Sequence, residues 1–147
     1  MQAFPHMGPA PGVPTREHPL VILAEDDTEF RRLLASVLQQ EGYEVVEAPD
    51  GLSLLATIEN TLTVRRERPD AFLVVADVRM PGLSGLDVLA ILRCASWRTP
   101  VILITAFGDE ATHAEGRELG AVAVFDKPFD VDALRMRVME TMPPSRG

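Results

Sequence analysis

Hydrophobic residues along this chain form two kinds of segment that alternate. Short apolar runs, typical of strands buried on both faces, lie at 20–24, 71–76, 101–104 and 121–125, with a shorter one between polar flanks at 44–47. Between them, apolar residues recur every three or four positions at 30–38, from 50 to the mid-sixties, and at 86–96, 109–119 and 131–142. Five strands alternating with five helices predict an α/β fold, an open parallel sheet with helices on both faces.

Both ends of the chain differ in composition from this alternating part. Residues 1–19 hold five of the twelve prolines and no apolar period, which predicts a disordered or extended tail. A polyproline segment that binds a partner is the alternative for this tail. A proline pair ends the last helix, so 143–147 are predicted to be a short C-terminal tail and 20–142 the folded domain.

Size and charge exclude several classes of function. A chain of 147 residues with net charge −8 fits one domain and argues against direct nucleic-acid binding. No apolar stretch approaches the length of a membrane span. The single cysteine, Cys94, excludes a disulfide framework and indicates a reducing compartment, so we expect a cytoplasmic protein. Cys94 and Leu33 fall on helical apolar patterns and are predicted to pack in the core.

Polar side chains follow four of the five predicted strands. The first strand is followed by Glu25, Asp26 and Asp27, the third by Asp77, the fourth by Thr105, and the fifth by Asp126 and Lys127. Because parallel strands bring their carboxyl ends to one edge, where sites form in such sheets, we expect these side chains to converge. The alternatives are that the first three acids cap the next helix and that the others are ordinary surface residues. Their joint occurrence favours a site.

The chemistry of this set points to a metal and a phosphoryl group. Clustered carboxylates raise one another's pKa unless a cation lies among them, and Mg²⁺ prefers such oxygen ligands. A metal, the Lys127 ammonium and the Thr105 hydroxyl together can hold phosphoryl oxygens. Asp77 stands alone after the most apolar strand and is the best placed nucleophile for an acyl phosphate.

Five segments, in this order and spacing, carry a family resemblance. They are 21–27 (VILAEDD), 77–82 (DVRMPG) with Gly85, 101–106 (VILITA), Gly120-Ala121 and 126–129 (DKPF). With them, residues 20–142 resemble the receiver (response regulator) domain of two-component phosphorelays. The resemblance implies a flavodoxin-like sheet with strand order 2-1-3-4-5.

The resemblance also implies roles for individual residues. Asp77 would accept a phosphoryl group from a phosphohistidine on a sensor histidine kinase or a phosphotransfer protein. Thr105 and Lys127 would hold the phosphoryl oxygens, and the Lys127–Pro128 bond would be cis. Mg²⁺ would be bound directly by Asp26, Asp77 and the carbonyl of Arg79, and through a water by Glu25.

The sequence departs from the family pattern in ways that affect function. Val124 stands where many receivers carry an aromatic residue that swings inward on phosphorylation, and strand alternation points Phe125 to the other face. In receivers the residues two positions after the phosphoryl acceptor and two after the threonine flank the path of a hydrolytic water. Here the resemblance places Arg79 and Phe107 at these positions, which predicts slow self-dephosphorylation. The second helix and its loop are long and contain Arg65, Arg66 and Arg68, interpreted as a solvated end or a partner contact.

These features predict a stand-alone signalling switch or phosphoryl shuttle. Its output would be a downstream protein partner bound by the fourth helix, fifth strand and fifth helix, without a membrane or nucleic acid. One alternative is a receiver fragment of a larger transcription regulator. An aspartyl-phosphate phosphohydrolase is disfavoured, because Arg79 occupies the place of its second acid. A scaffold that is never phosphorylated is disfavoured by the complete set of acids, threonine and lysine.

Overall fold

The computed structural model of the protein describes residues 18–64, 72–106 and 108–144. The strands are β1 (Leu20–Ala24), β2 (Glu44–Ala48), β3 (Phe72–Asp77), β4 (Val101–Thr105) and β5 (Ala123–Asp126). The helices are α1 (Thr28–Gln40), α2 (Gly51–Val64), α3 (Gly85–Cys94), α4 (Glu110–Glu118) and α5 (Val131–Thr141). Strands and helices alternate as predicted.

The five strands form one parallel sheet in the order β2-β1-β3-β4-β5, which confirms the expected fold class and strand order. The register places Asp77 beside Ile104, and Thr105 beside Asp126. The ends of β3, β4 and β5 therefore meet at one edge of the sheet.

Hydrophobic cores lie on both faces of the sheet because the central strands are covered twice. Alternate residues of β1, β3 and β4 pack with α2 and α3 on one face, and the intervening residues pack with α1 and α5 on the other. Val124 belongs to the first core and Phe125 to the second, so the predicted opposite placement of these two side chains is confirmed.

Two assignments to the core were wrong. Helix α1 buries Leu34, Ala35 and Leu38, whereas Leu33 is 51% exposed, so the buried face is centred further round the helix than the pattern predicted. Cys94 is exposed. The buried residues of α3 follow helical spacing, and position 94 lies beyond Leu92 on the opposite side of the helix.

Side-chain caps begin several helices at the same edge as the strand ends. The Asp27 carboxylate accepts the N–H of Phe30, so for this acid the alternative role, a cap of α1, is confirmed. Ser84 caps α3 in a reciprocal capping box with Asp87. These caps orient the loops that follow β1 and β3.

Some predictions concern residues outside the described ranges. They are those on the N-terminal tail up to residue 17, on Arg65, Arg66, Arg68 and Phe107, and on residues 145–147. Within the described ranges, none of the helices has the length and apolar character needed to cross a membrane.

Candidate functional site

Two buried carboxylates and one ammonium form the centre of the site. Glu25 follows β1 and is 1% exposed, and Asp77 ends β3 and is 3% exposed. Lys127 Nζ donates to Glu25 Oε1 at 2.7 Å and to Asp77 Oδ2 at 2.5 Å. Buried carboxylates require such a partner, because an unpaired buried charge is costly. The convergence predicted from the strand ends therefore occurs for these three residues.

Lys127 is the single lysine of the chain, whose other thirteen basic residues are arginines. Burial lowers its pKa, but hydrogen bonds and charges from Asp77 and Glu25 outweigh burial, and the net pKa is raised. Its Nζ also lies 5.2 Å from the ring centroid of Phe30. The ammonium is a compact charge with three donors, suited to exchanging one oxygen partner for another.

Glu25 is fixed by several further contacts. Its Oε2 accepts the N–H of Asp27 at 2.9 Å, and its carbonyl accepts Arg31 Nη1 at 2.7 Å. Arg31 also pairs with Glu47 at 2.9 Å, which joins β2 to the site. Sequence reasoning missed Arg31, because its partner Glu47 belongs to a strand that adds no group of its own to the site.

Asp26 completes an acidic cluster at the surface. One oxygen each from Glu25, Asp26 and Asp77 lie within 4.8 Å of one another. A hydrogen bond with Glu25, partial burial and the Glu25 charge raise the pKa of Asp26 above its ordinary 3.8. Carboxylate oxygens are hard ligands, and at this spacing they fit a divalent cation such as Mg²⁺. Such a cation would also favour the ionised form of Asp26.

The loop after β3 is folded tightly around the Asp77 carboxylate. The N–H of Arg79 donates to Asp77 Oδ1 at 2.8 Å, and the N–H of Val78 donates to the Ile104 carbonyl at 2.7 Å. A side chain on Gly85 would meet the Asp77 carbonyl, because its Cβ would lie 2.6 Å from that oxygen. Arg79 itself is exposed and lines an open hollow beside Asp26.

Thr105 ends β4 and is fully buried. Its carbonyl accepts the N–H of Lys127 at 2.7 Å, so the threonine and the lysine are joined through the backbone. The Lys127–Pro128 bond is cis, as the resemblance implied. All the residues expected at this edge therefore lie on its strand ends or adjoining loops.

His113 was not among the residues that the sequence predicted for the site. In the structure its Nε2 lies 2.9 Å from Oδ1 of Asp126, the residue before Lys127. The start of α4 and the end of β5 share the edge of the sheet, which is what brings them together. The strand order was the only signal that could have suggested this pair.

Sequence comparisons identify relatives over most of the chain. The family model for the response regulator receiver domain matches residues 21–139. Sporulation initiation phosphotransferase F of Bacillus subtilis is 35% identical over 123 residues, which cover 84% of this chain and 93% of that protein. Transcriptional regulatory protein CpxR of Escherichia coli is 36% identical over 118 residues. These cover 80% of this chain but only 47% of CpxR, so the chain spans about half of that regulator.

Comparison with solved structures finds the same fold in other proteins. The receiver domain of the Francisella response regulator 1452 has a TM-score of 0.74 at 30% identity, covering 84% of this chain and 96% of that one. The Vibrio cholerae chemotaxis protein CheY4 has a TM-score of 0.71 at 27% identity, covering 85% and 99%.

Proposed function

This chain belongs to the response regulator receiver family, and on that premise we propose that Asp77 is the residue on which it accepts a phosphoryl group. Receiver domains are signalling domains, and response regulators are phosphorylated by histidine kinases or phosphotransfer proteins. One observation carries the proposal. The buried Asp77 carboxylate is held between Lys127 Nζ and the N–H of Arg79, with the acids Glu25 and Asp26 beside it.

The proposed transfer is a single displacement at phosphorus. An Asp77 oxygen attacks the phosphorus of a phosphohistidine on the partner protein, and the O–P bond forms as the P–N bond breaks. The electron pair of the broken bond stays on the imidazole, which carries a proton on its other nitrogen and leaves as the neutral base. Lys127 Nζ then passes from the carboxylate to a phosphoryl oxygen, and the Thr105 hydroxyl donates to another.

We propose Mg²⁺ as the cofactor of this site. Asp26, Asp77 and the carbonyl of Arg79 would bind it directly, and it would neutralise charge on the transferred group. Glu25, which already accepts hydrogen bonds from Lys127 Nζ and the N–H of Asp27, would act through a water, as the family resemblance implies.

The decisive experiment is intact mass spectrometry after incubation with acetyl phosphate and Mg²⁺. The wild type should gain one phosphoryl group, and Asp77→Asn should gain none. Asp132→Asn, a change on the exposed part of α5, is the control and should be labelled like the wild type. A gain that persists in Asp77→Asn, or that needs no divalent metal, would contradict the proposal.

We also infer slow self-dephosphorylation. Arg79 is exposed beside Asp26 and its planar guanidinium can pair with a phosphoryl oxygen, whereas neither Arg79 nor Phe107 can activate a water as a base. The double variant Arg79→Asn/Phe107→Glu introduces polar groups that can position water. It should lose label about tenfold faster, a difference of ~1.4 kcal/mol in the barrier. Equal rates, or a faster wild type, would show that these residues do not set the lifetime.

The proposed domain spans residues 20–142, flanked by tails at 1–19 and 143–147, and a cytoplasmic location remains a prediction. Its output would be a downstream protein partner bound by α4, β5 and α5. Two arrangements of such a domain occur among its relatives. The matched segment makes up 93% of the Bacillus phosphotransferase, as in a stand-alone switch, and 47% of CpxR, as in a receiver within a transcription regulator.

A further inference from the structure

Helix α4 is lightly attached to the sheet. It buries a single residue, Gly116, and the other four helices each bury at least two. A Cβ on Gly116 would lie 3.1 Å from Val124 and 3.3 Å from Leu103. The helix therefore lies close to these two side chains at a residue that has no side chain of its own. A helix with so little buried surface is easily displaced, and any polar contact that holds it gains importance.

The polar contact is made by His113. Its Nε2 lies 2.9 Å from Oδ1 and 3.1 Å from Oδ2 of Asp126, and 24% of the histidine side chain is exposed. A carboxylate only accepts hydrogen bonds, so Nε2 must carry the hydrogen in both the neutral and the charged ring. The contact therefore ties the first turns of α4 to the end of β5.

Asp126 is also in contact with the loop that leaves β4. A Cβ on Gly108 would lie 1.7 Å from Asp126 Oδ1 and 2.9 Å from Thr105 Cγ2, so Gly108 lies close to both side chains. The Asp126 carboxylate thus lies against the backbone of Gly108 and the ring of His113. A shift of Gly108 would therefore change this packing.

The same short stretches of backbone carry the phosphoryl-binding groups. Thr105 is three residues before Gly108, and Lys127 directly follows Asp126. The N–H of Lys127 donates to the Thr105 carbonyl at 2.7 Å, while its Nζ rests on the Asp77 carboxylate. Closing Thr105 and Lys127 on a phosphoryl group would therefore move backbone that directly adjoins the contact between Gly108 and Asp126.

We infer that His113 is a positioning residue whose contact with Asp126 holds helix α4 in the unphosphorylated arrangement and opposes closure of the phosphoryl site. The inference rests on the proposed function of Asp77. Lys127 Nζ contacts the Asp77 carboxylate in the same structure in which His113 contacts Asp126, so the two contacts are compatible. Because coupling is reciprocal, a phosphoryl mimic should loosen the His113 contact, and loss of that contact should strengthen binding of the mimic.

The test uses beryllofluoride with Mg²⁺ on the full chain, followed by ¹⁵N NMR of the backbone and of the histidine rings. In the wild type, saturating beryllofluoride should shift the Asp77 and Thr105 amides and the His113 Nε2 signal. His18, at the opposite edge of the sheet, is the internal control and should not respond. His113→Ala should bind beryllofluoride about three- to tenfold more tightly, the effect of losing one hydrogen bond.

Variants separate coupling from a general effect on folding. His113→Gln keeps a side-chain N–H donor and should return the affinity toward the wild-type value. Asp126→Ala removes the same contact from the strand and should tighten binding like His113→Ala. Unchanged affinity in His113→Ala, or a static His113 signal beside shifted Asp77 and Thr105 amides, would overturn the coupling and leave the proposed function standing. No response at Asp77 or Thr105 would overturn both.

Discussion

At the scale of single residues, Lys127 is the side chain that joins the two buried carboxylates of the site. Its Nζ joins two carboxylates whose residues are 50 and 102 positions away in the sequence. Removing one partner of a buried charge pair is costly because the remaining charges stay unpaired. Both buried carboxylates of the site therefore depend on the charge of one side chain.

Lys127→Met should lower the free energy of unfolding at neutral pH by about 2–3 kcal/mol, since Glu25 and Asp77 would face each other without a cation. The penalty should shrink as the pH falls and the carboxylates take up protons. Urea unfolding at neutral and acidic pH measures both effects. Arg135→Met is the matched control, because Arg135 pairs with the exposed Asp132 and should cost less than about 1 kcal/mol. Equal costs for the two variants would contradict this account.

The meeting of these residues at one edge was predictable because each lies at the end of a recognisable strand, and parallel topology brings such ends together. The sequence did not indicate which groups pair. Lys127 bridging Glu25 and Asp77, and His113 reaching Asp126, depend on side-chain lengths and loop paths at atomic scale. A pattern of residue types carries no information at that scale.

At the scale of elements, glycines set how closely the helices approach the sheet. A Cβ at position 85, the first residue of α3, would lie 2.6 Å from the Asp77 carbonyl, which is backbone and cannot move aside. At position 116 of α4, the nearest atoms are side-chain carbons at 3.1 and 3.3 Å, which can shift by a few tenths of an ångström. The two glycines therefore differ in what they permit.

Gly85→Ala should destabilise the protein by at least ~1 kcal/mol and slow phosphorylation, because α3 must move away from Asp77. Gly116→Ala should be close to neutral, since the helical preference of alanine over glycine, about 1 kcal/mol, offsets the tight contact. Thermal unfolding and labelling by acetyl phosphate compare the two. A neutral Gly85→Ala would show that the loop around Asp77 is more adaptable than its contacts indicate.

Element positions were predicted well and element faces less well. Alternating apolar runs located every strand and helix, but β5 begins at Ala123 rather than at 121. Which side of a helix is buried depends on how the helix lies on the twisted sheet. For this reason Leu33 and Cys94 are exposed although their spacing predicted burial. Periodicity gives the existence of a face more reliably than its centre.

At the scale of the whole molecule, the acidic edge makes stability depend on pH and metal. The pKa of Asp26 is raised in the folded protein, so the folded state binds more protons than the unfolded state between 3.8 and that raised value. Stability therefore falls as the pH rises through this window, and the penalty is fully present above it. Part of the raised pKa comes from the negative charge of Glu25, and a divalent cation between the two acids would relieve this repulsion.

Mg²⁺ should raise the melting midpoint at neutral pH. At a Mg²⁺ concentration of ten times its Kd, the free energy of unfolding should increase by about 1.4 kcal/mol, and the increase should be smaller at acidic pH. Asp26→Asn should be more stable than the wild type without metal and should gain less from Mg²⁺. Calorimetry with and without millimolar Mg²⁺ measures both. A wild-type midpoint that ignores Mg²⁺ would show that the acids do not form a preformed site.

The use of one lysine in the whole chain has a consequence for covalent chemistry. Acylating reagents attack neutral amines, and here the only side-chain amine is the one that neutralises Glu25 and Asp77. Its raised pKa keeps it protonated and slow to react while those acids depend on it. Once another cation takes over part of that charge, the amine should become more reactive. Acylation of side-chain amines in this protein is therefore confined to Lys127 Nζ, the atom that reports whether its site is occupied.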